Sequence, residues 1–431
     1  MLHKSDMISA IHHSGRQAVI AASGGGSLAI SDLLTVPGAS AFLLEASVPY
    51  ASNALTQWLG RKPENFCARE TALAMAAVAF QKGRQLGGDA DKLVGVGCTA
   101  SLVSNLPKLG EHRVWITTQT VNRTEVLEYQ FAKGLRDRLQ EERLVADLLL
   151  EEIASACGVT QYQSTNPKRE RGRALPEPQN VRTAEDAEGY EASALADAAG
   201  DISIAVDGIS RTTDQLHRES ATAEPALAML WNGVRSWFWS LPMSDDPATS
   251  WSKFDAAPAM SNARGLLSGA FNPLHDGHRE LACVADRQIN GPVAVEMSIV
   301  NVDKPPLDYL TIAARRRQFI DRPLVLTRAP TFVEKSRLFP NTTFIVGIDT
   351  AERIVQSKYY HGSEADMLSA LEEIRTNGCR FLVAGRIADG RFQTLSETAF
   401  PSSVRDLFEE IPEREFRRDI TSTELRRTPA T

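Results

Sequence analysis

A chain of 431 residues with 43% hydrophobic content can support two or three domains, each with a sizeable core. The net charge of −7 argues against a nonspecific nucleic-acid binder, whose footprint would be basic. No apolar run reaches the ~18 residues that a membrane span needs, so no membrane partner is expected. Met1 to Ser14 lacks the apolar core of a signal peptide, and the five cysteines (Cys67, Cys98, Cys157, Cys283 and Cys379) are scattered without metal spacing. Reduced thiols in a cytoplasmic protein are the expectation.

In chain order, a Val-Ile strand end runs into Ala21-Ala22-Ser23-Gly24-Gly25-Gly26-Ser27, which precedes an apolar helix and a turn at Thr35 to Ser40. Val48-Pro49-Tyr50, then Gly95-Val96-Gly97-Cys98-Thr99-Ala100 and His112-Arg113-Val114-Trp115-Ile116, follow. Residues 67–85 and 133–157 have long helical periodicity, and 94–97 reads as a buried strand. In that order these segments resemble the C-terminal domain of the competence-damage-inducible protein family, over roughly residues 7–157. The resemblance implies an amidase-like α/β domain, because active members of that family deamidate nicotinamide mononucleotide.

The catalytic pattern of that family is damaged here. Active members carry a serine at the start of a Ser-Cys-Thr-Gly-Gly run and a lysine some five residues after the tyrosine matched by Tyr50. This chain has Ala22 at the first place and Leu55 near the second. Alanine cannot attack an amide, and a shifted match that makes Ser23 the nucleophile finds no basic partner. The implied site is degenerate, and the domain would bind a nucleotide, dimerise or support its neighbour, which leaves a homo-oligomer open.

Residues 158–196 read as a flexible low-complexity linker, rich in charge, Pro, Gln, Asn and Ala and including the basic run 166–173. Residues 197–258 read as a connector, with a short strand at 202–206 and an apolar helix over 225–241 in which Trp231, Trp237 and Trp239 need cover. Beyond it, over 259–428, strands at 265–269, 293–300, 323–327, 343–347 and 380–384 alternate with helices. That order predicts a Rossmann-like, doubly wound parallel sheet, so the chain as a whole is α/β.

The run Gly269-Ala270-Phe271-Asn272-Pro273-Leu274-His275-Asp276-Gly277-His278 sits at the first of these strand-to-helix turns. Its glycines admit close backbone approach, and the helix start offers N–H groups and a positive dipole end to an anion. His275 and His278 would face a polyphosphate as two imidazole donors. About 150 residues later, Ile420-Thr421-Ser422-Thr423-Glu424-Leu425-Arg426 places hydroxyls and an arginine at another predicted helix start, with capping-box spacing between Thr421 and Glu424. Between the two, Gly347-Ile348-Asp349 and Gly385-Arg386 end strands, Lys304 follows the strand at 293–300, and Arg315, Arg316 and Arg317 read as a solvated helix face.

The two runs resemble the HxGH and ISSTxxR signatures of the nucleotidylyltransferase superfamily, over roughly 262–428. The resemblance implies transfer of a nucleotidyl group from a nucleoside triphosphate to a phosphate acceptor, with pyrophosphate released. It makes His275, His278 and Arg426 catalytic, and Gly269, Phe271, Asn272, Gly277, Asp349, Arg386, Ser422 and Thr423 nucleotide-binding. Lys304 becomes the acceptor ligand. No dedicated metal site is implied, and magnesium arrives with the triphosphate. Pro273 within the first motif and Asp419 before the second lean toward ATP and an acceptor such as nicotinamide or nicotinate mononucleotide. Cytidylyl transfer to a phosphorylated alcohol and a non-catalytic nucleotide sensor are the alternatives.

Overall fold

The computed structural model describes residues 4–105, 109–159, 205–206, 209–210, 214–240, 263–302, 304–319, 322–388, 391–398 and 400–418. The protein is α/β and divides into two compact units, Met1–Ala228 with Asp308–Leu310, and Met229–Leu307 with Thr311–Thr431. Most of the expected linker, from residue 160 to 196, lies outside the described residues.

The first unit is built on strands β1 (Gln17–Ser23), β2 (Leu43–Ser47), β3 (Leu93–Ser101), β4 (His112–Gln119) and β5 (Arg123–Phe131). Two short strands, β6 (Ala205–Val206) and β7 (Ile209–Ser210), pair with each other, and β8 (Gln215–Thr222) joins the main sheet. The order is β2-β1-β3-β4-β5-β8, with β1 parallel to both β2 and β3 and the remaining pairs antiparallel. β1 and β3 are buried along almost their whole length, which is why they read as unbroken apolar runs. Helix Arg138–Ala156 covers one face and helix Arg69–Gln85 the other. The first of these starts later than its periodicity suggests because Asp137 closes a capping box with Gln140.

The connector does not stand apart, since its pieces complete both sheets. β8 is pinned at its start by Asp214, whose carboxylate accepts hydrogen bonds from Tyr129 Oη (2.6 Å), the Ala132 N–H (2.8 Å) and Arg136 Nη1 (3.0 Å). The helix expected over 225–241 stops at Trp231. Gly233, at φ 77°, turns the chain out of it, with the N–H of Gly233 on Leu230 O and that of Val234 on Met229 O. The two later tryptophans then lie in β9 (Trp237–Ser240), a strand of the second unit.

The second unit contains β10 (Gly265–Ser268), β11 (Val293–Ser298), β12 (Leu324–Thr327), β13 (Thr343–Gly347), β14 (Arg380–Ala384), the hairpin strands β15 (Arg386–Ala388) and β16 (Arg391–Gln393), and β17 (Phe408–Ile411). The main sheet runs β17-β14-β13-β10-β11-β12-β9. Its six later strands are parallel and doubly wound, as expected, whereas β9 closes the β12 edge antiparallel. Inside the sheet, Glu296 is fully buried and accepts from Thr327 Oγ1 (2.5 Å) and Lys335 Nζ (2.7 Å), so its charge is paired and hydrogen-bonded.

Close packing in the first unit depends on glycine at β3. A Cβ at Gly95 would fall 2.2 Å from Ala76 O and 2.5 Å from Phe80 N, both in the covering helix. Gly95→Ala should therefore cost about 3 kcal/mol, the upper end of overpacking penalties. Gly110→Ala, whose Cβ meets nothing within 4 Å, should change stability by less than about 0.5 kcal/mol. Urea unfolding of the two variants checks the contrast.

Candidate active site

In the second unit, the chain leaves β10 toward β11 on one side, and leaves β13 toward β14 on the other. The crevice outside the carboxyl ends of β10 and β13 is thus the topological switch point, where doubly wound sheets bind ligands. The loop from Gly269 to His275 rises from β10 into helix Asp276–Gln288 at this crevice, and Gly347-Ile348-Asp349 leaves β13 beside it.

The loop folds back on an aromatic hub. Phe271 is buried at φ 46° and meets the edges of His278 (5.1 Å between ring centroids) and Phe319 (5.2 Å). Gly269 has to be glycine for this, because a Cβ there would come within 2.8 Å of the Phe271 ring. Asn272 is exposed at the loop's crest. His275 is the N-cap residue of the helix, and its ring stacks on His278 at 3.7 Å with 30° between planes. Gly277 makes room for it, since a Cβ there would stand 3.0 Å from His275 Nδ1.

The backbone settles the tautomer of one ring. The His275 N–H donates to His278 Nδ1 at 3.3 Å, so a neutral His278 carries its proton on Nε2 and presents it as a donor. His275 Nδ1 is buried with no hydrogen-bond partner among the described residues. Burial and then the adjacent His275 ring push the His278 imidazole down to about 4. Burial also holds His275 below the ordinary histidine range, against the pull of Asp276. Both shifts favour the uncharged form of the pair.

Across the crevice, two residues singled out in the sequence meet each other. Arg386 Nη1 stands 2.6 Å from Asp349 Oδ2, both side chains being about half exposed. A Cβ at Gly347 would enter open space, so packing is not what requires glycine there. Lys304 is exposed on the segment after β11. The three consecutive arginines are not one solvated face: Arg315 Nη1 donates to Ala270 O (3.0 Å), Arg316 is buried with Nε on Ser240 Oγ (2.6 Å), and only Arg317 is exposed. Ser422, Thr423 and Arg426 lie outside the described residues.

In the first unit the glycine loop is closed by the chain itself. Gly26 is the N-cap of helix Ser27–Thr35 at φ 89°. The Gly26 N–H donates to Glu142 Oε2 (3.0 Å), while the Leu28 N–H (3.2 Å) and Ser27 Oγ (2.9 Å) donate to Glu142 Oε1. A buried carboxylate thus fills the place an external anion would take. Ala22 is part of the apolar core with Cys98, and Leu55 packs with Ala21, Leu59 and Met75. Ser23 Oγ donates to Pro49 O (3.0 Å), and Tyr50 is exposed. The sequence reading missed Glu142, whose partner loop lies more than 110 residues earlier and has no local signature.

No family model and no curated protein matches the chain. Among solved structures, the competence/damage inducible protein CihA from Agrobacterium tumefaciens is 21% identical, over 36% of this chain and 92% of that one, at a TM-score of 0.28. A competence or damage-inducible protein from Enterobacter asburiae is 17% identical over 36% and 99%, with a TM-score of 0.30. A competence-damaged protein (CinA) superfamily protein from Escherichia coli is 17% identical over 36% and 89%, with a TM-score of 0.29. At likenesses this slight, what the chain does has to be read from its own residues.

The depressed His278 makes a signed prediction. In the unfolded chain the ring takes up a proton as pH falls through about 6.5, whereas in the folded chain it does so only near 4. Its contribution to stability is therefore intact above pH 6.5 and lost as pH falls from there to about 4. Melting temperatures across that window should drop more steeply for the natural protein than for His278→Asn. Parallel curves would contradict the burial of a neutral ring.

Proposed function

We propose that the second unit is a nucleotidyltransferase that joins the α-phosphate of a nucleoside triphosphate to a phosphate-bearing acceptor and releases pyrophosphate. ATP is the proposed donor and nicotinamide or nicotinate mononucleotide the proposed acceptor, a step of NAD biosynthesis. One observation carries the reading, namely two stacked neutral imidazoles at a helix start, at the switch point of a doubly wound sheet.

The chemistry asks for placement above all. As the acceptor oxygen bonds to the α-phosphorus and the bond to the bridging oxygen breaks, negative charge grows on the α-phosphoryl and on the departing pyrophosphate. Donors that bind this charge more tightly in the transition state than in the ground state accelerate the step. His278 offers an Nε2–H, and the His275 ring stacks on its ring. We assign the pair to the α- and β-phosphates. Ser422, Thr423 and Arg426 are assigned to the β- and γ-phosphates. Arg418, the last described residue, comes to the start of helix Asp276–Gln288, its Cβ 3.7 Å from where a Cβ on Gly277 would stand.

Asp349 is assigned to the nucleoside and Arg386 to a phosphate, and their ion pair gives a hydroxylated, anionic ligand both an acceptor and a donor at one place. Lys304 is assigned to the acceptor. Among the described residues no cluster of three or more His, Cys, Asp or Glu side chains could hold a metal. Magnesium is proposed to enter with the triphosphate, coordinated by its oxygens and water and neutralising charge there. Pro273 and Asp419 are the residues that favour adenylyl over cytidylyl transfer. For the first unit we propose a non-catalytic role, supported by the self-filled glycine loop and the apolar surroundings of Ala22 and Leu55.

The test is pyrophosphate release by the full chain with magnesium, crossing ATP and CTP against both mononucleotides and a panel of phosphorylated alcohols. Dinucleotide formation from ATP is expected, and turnover with CTP alone would replace the donor and acceptor proposed here. The double variant His275→Ala/His278→Ala should lose at least about 1,000-fold in rate, the range of removing preorganised donors. Unchanged turnover in that variant would move the site elsewhere. No ammonia release from nicotinamide mononucleotide is expected, and its deamidation by the full chain would restore the first unit as an amidase.

A further inference from the structure

The phosphate loop is held from outside by a side chain that no motif marks. Gln318 lies just past helix Tyr309–Arg316, more than 40 residues from the loop it touches. Its Oε1 accepts from the Leu274 N–H at 2.7 Å, and its Nε2 donates to Phe271 O at 3.4 Å. One amide therefore bridges the two ends of the Asn272-Pro273 crest. Arg315 adds a second grip on the preceding residue through Ala270 O (3.0 Å). Arg279, on the helix that the loop feeds, reaches back to Gln318 O at 3.4 Å.

These contacts fall on the residues that fix the imidazoles. Leu274 immediately precedes the N-cap His275, whose own N–H orients His278, and Phe271 packs its ring against His278. We propose that Gln318, with Arg315, is a positioning residue for the phosphate-binding loop: it holds His275 and His278 in register for a polyphosphate without touching the ligand. A glutamine suits the task because a single planar group supplies both an acceptor and a donor, matching one backbone N–H and one backbone C=O. The inference rests on the nucleotidyltransferase reading for its purpose, but the geometry it predicts can be read without turnover.

The experiment compares Gln318→Met, which keeps length and loses both hydrogen bonds to the loop, with Thr331→Ala, which removes a helix cap elsewhere in the same unit. Two readouts are followed in the full chain: the titration of the His278 ring by proton NMR, and the affinity for inorganic tripolyphosphate by calorimetry. Gln318→Met should raise the His278 midpoint from about 4 toward the ordinary 6.5, as the loop loosens and the ring gains water. It should also weaken tripolyphosphate at least about tenfold, equivalent to about 1.4 kcal/mol. Thr331→Ala should lower the melting temperature and leave both readouts unchanged.

A His278 midpoint that stays near 4 in Gln318→Met would overturn the positioning role, whatever the protein catalyses. An equal shift in Thr331→Ala would overturn it too, by reducing the effect to general destabilisation. If the natural protein binds no tripolyphosphate while the midpoint still moves in Gln318→Met alone, the nucleotidyltransferase reading fails and the grip on the loop stands.

Discussion

A helix start exposes backbone N–H groups and a positive dipole end, and something anionic or hydrogen-bonding has to meet them. This chain meets the requirement in opposite ways in its two units. At helix Ser27–Thr35 the buried Glu142 carboxylate supplies the charge from within, gripping two backbone N–H groups and a hydroxyl. At helix Asp276–Gln288 the cap position holds an imidazole, with a second imidazole stacked on it. The first arrangement is complete without a ligand. The second offers donors and no charge of its own.

Much of this was legible in the sequence, for reasons that are local. The parallel strands of the second unit are short apolar runs between polar helices, and their carboxyl-end turns carry the glycines and histidines that mark the crevice. The strand-to-helix character of the Gly269 to His278 run follows from its own composition. The pairing of Asp349 with Arg386 was half legible, since each was marked as a ligand and only the sheet order, with β13 beside β14, brings them together.

What was not legible is long-range. Trp237 and Trp239 look like the continuation of an apolar helix until Gly233 ends it and the β12 edge recruits them as an antiparallel strand. A four-residue edge strand has no period of its own to detect. Glu142 sits on a helix whose neighbouring carboxylate, Glu141, grips His112 and the Val103 N–H instead, and nothing in the sequence says which acid goes where. Arg315 and Gln318 look like solvated polar residues, because hydrogen bonds to distant backbone atoms leave no pattern in the residues that make them.

The electrostatics of the histidine pair explain why imidazoles, rather than lysines, suit this crevice. Two rings at 3.7 Å cannot both ionise cheaply, and burial already disfavours a charge on either. The imidazole pair therefore adds no fixed positive charge that would bind the ground-state triphosphate as tightly as its transition state. In the proposed reaction, negative charge would accumulate opposite the His278 Nε2–H as the α-phosphorus is attacked, and each increment would raise that ring's proton affinity and shorten its hydrogen bond. The interaction is strongest when the charge is greatest, which is the differential binding that catalysis needs. A lysine at either place would spend much of its attraction before the reaction began. The hydrophobic hub of Phe271 and Phe319 would serve the same proposed chemistry, because a drier ring responds more strongly to charge that develops in front of it.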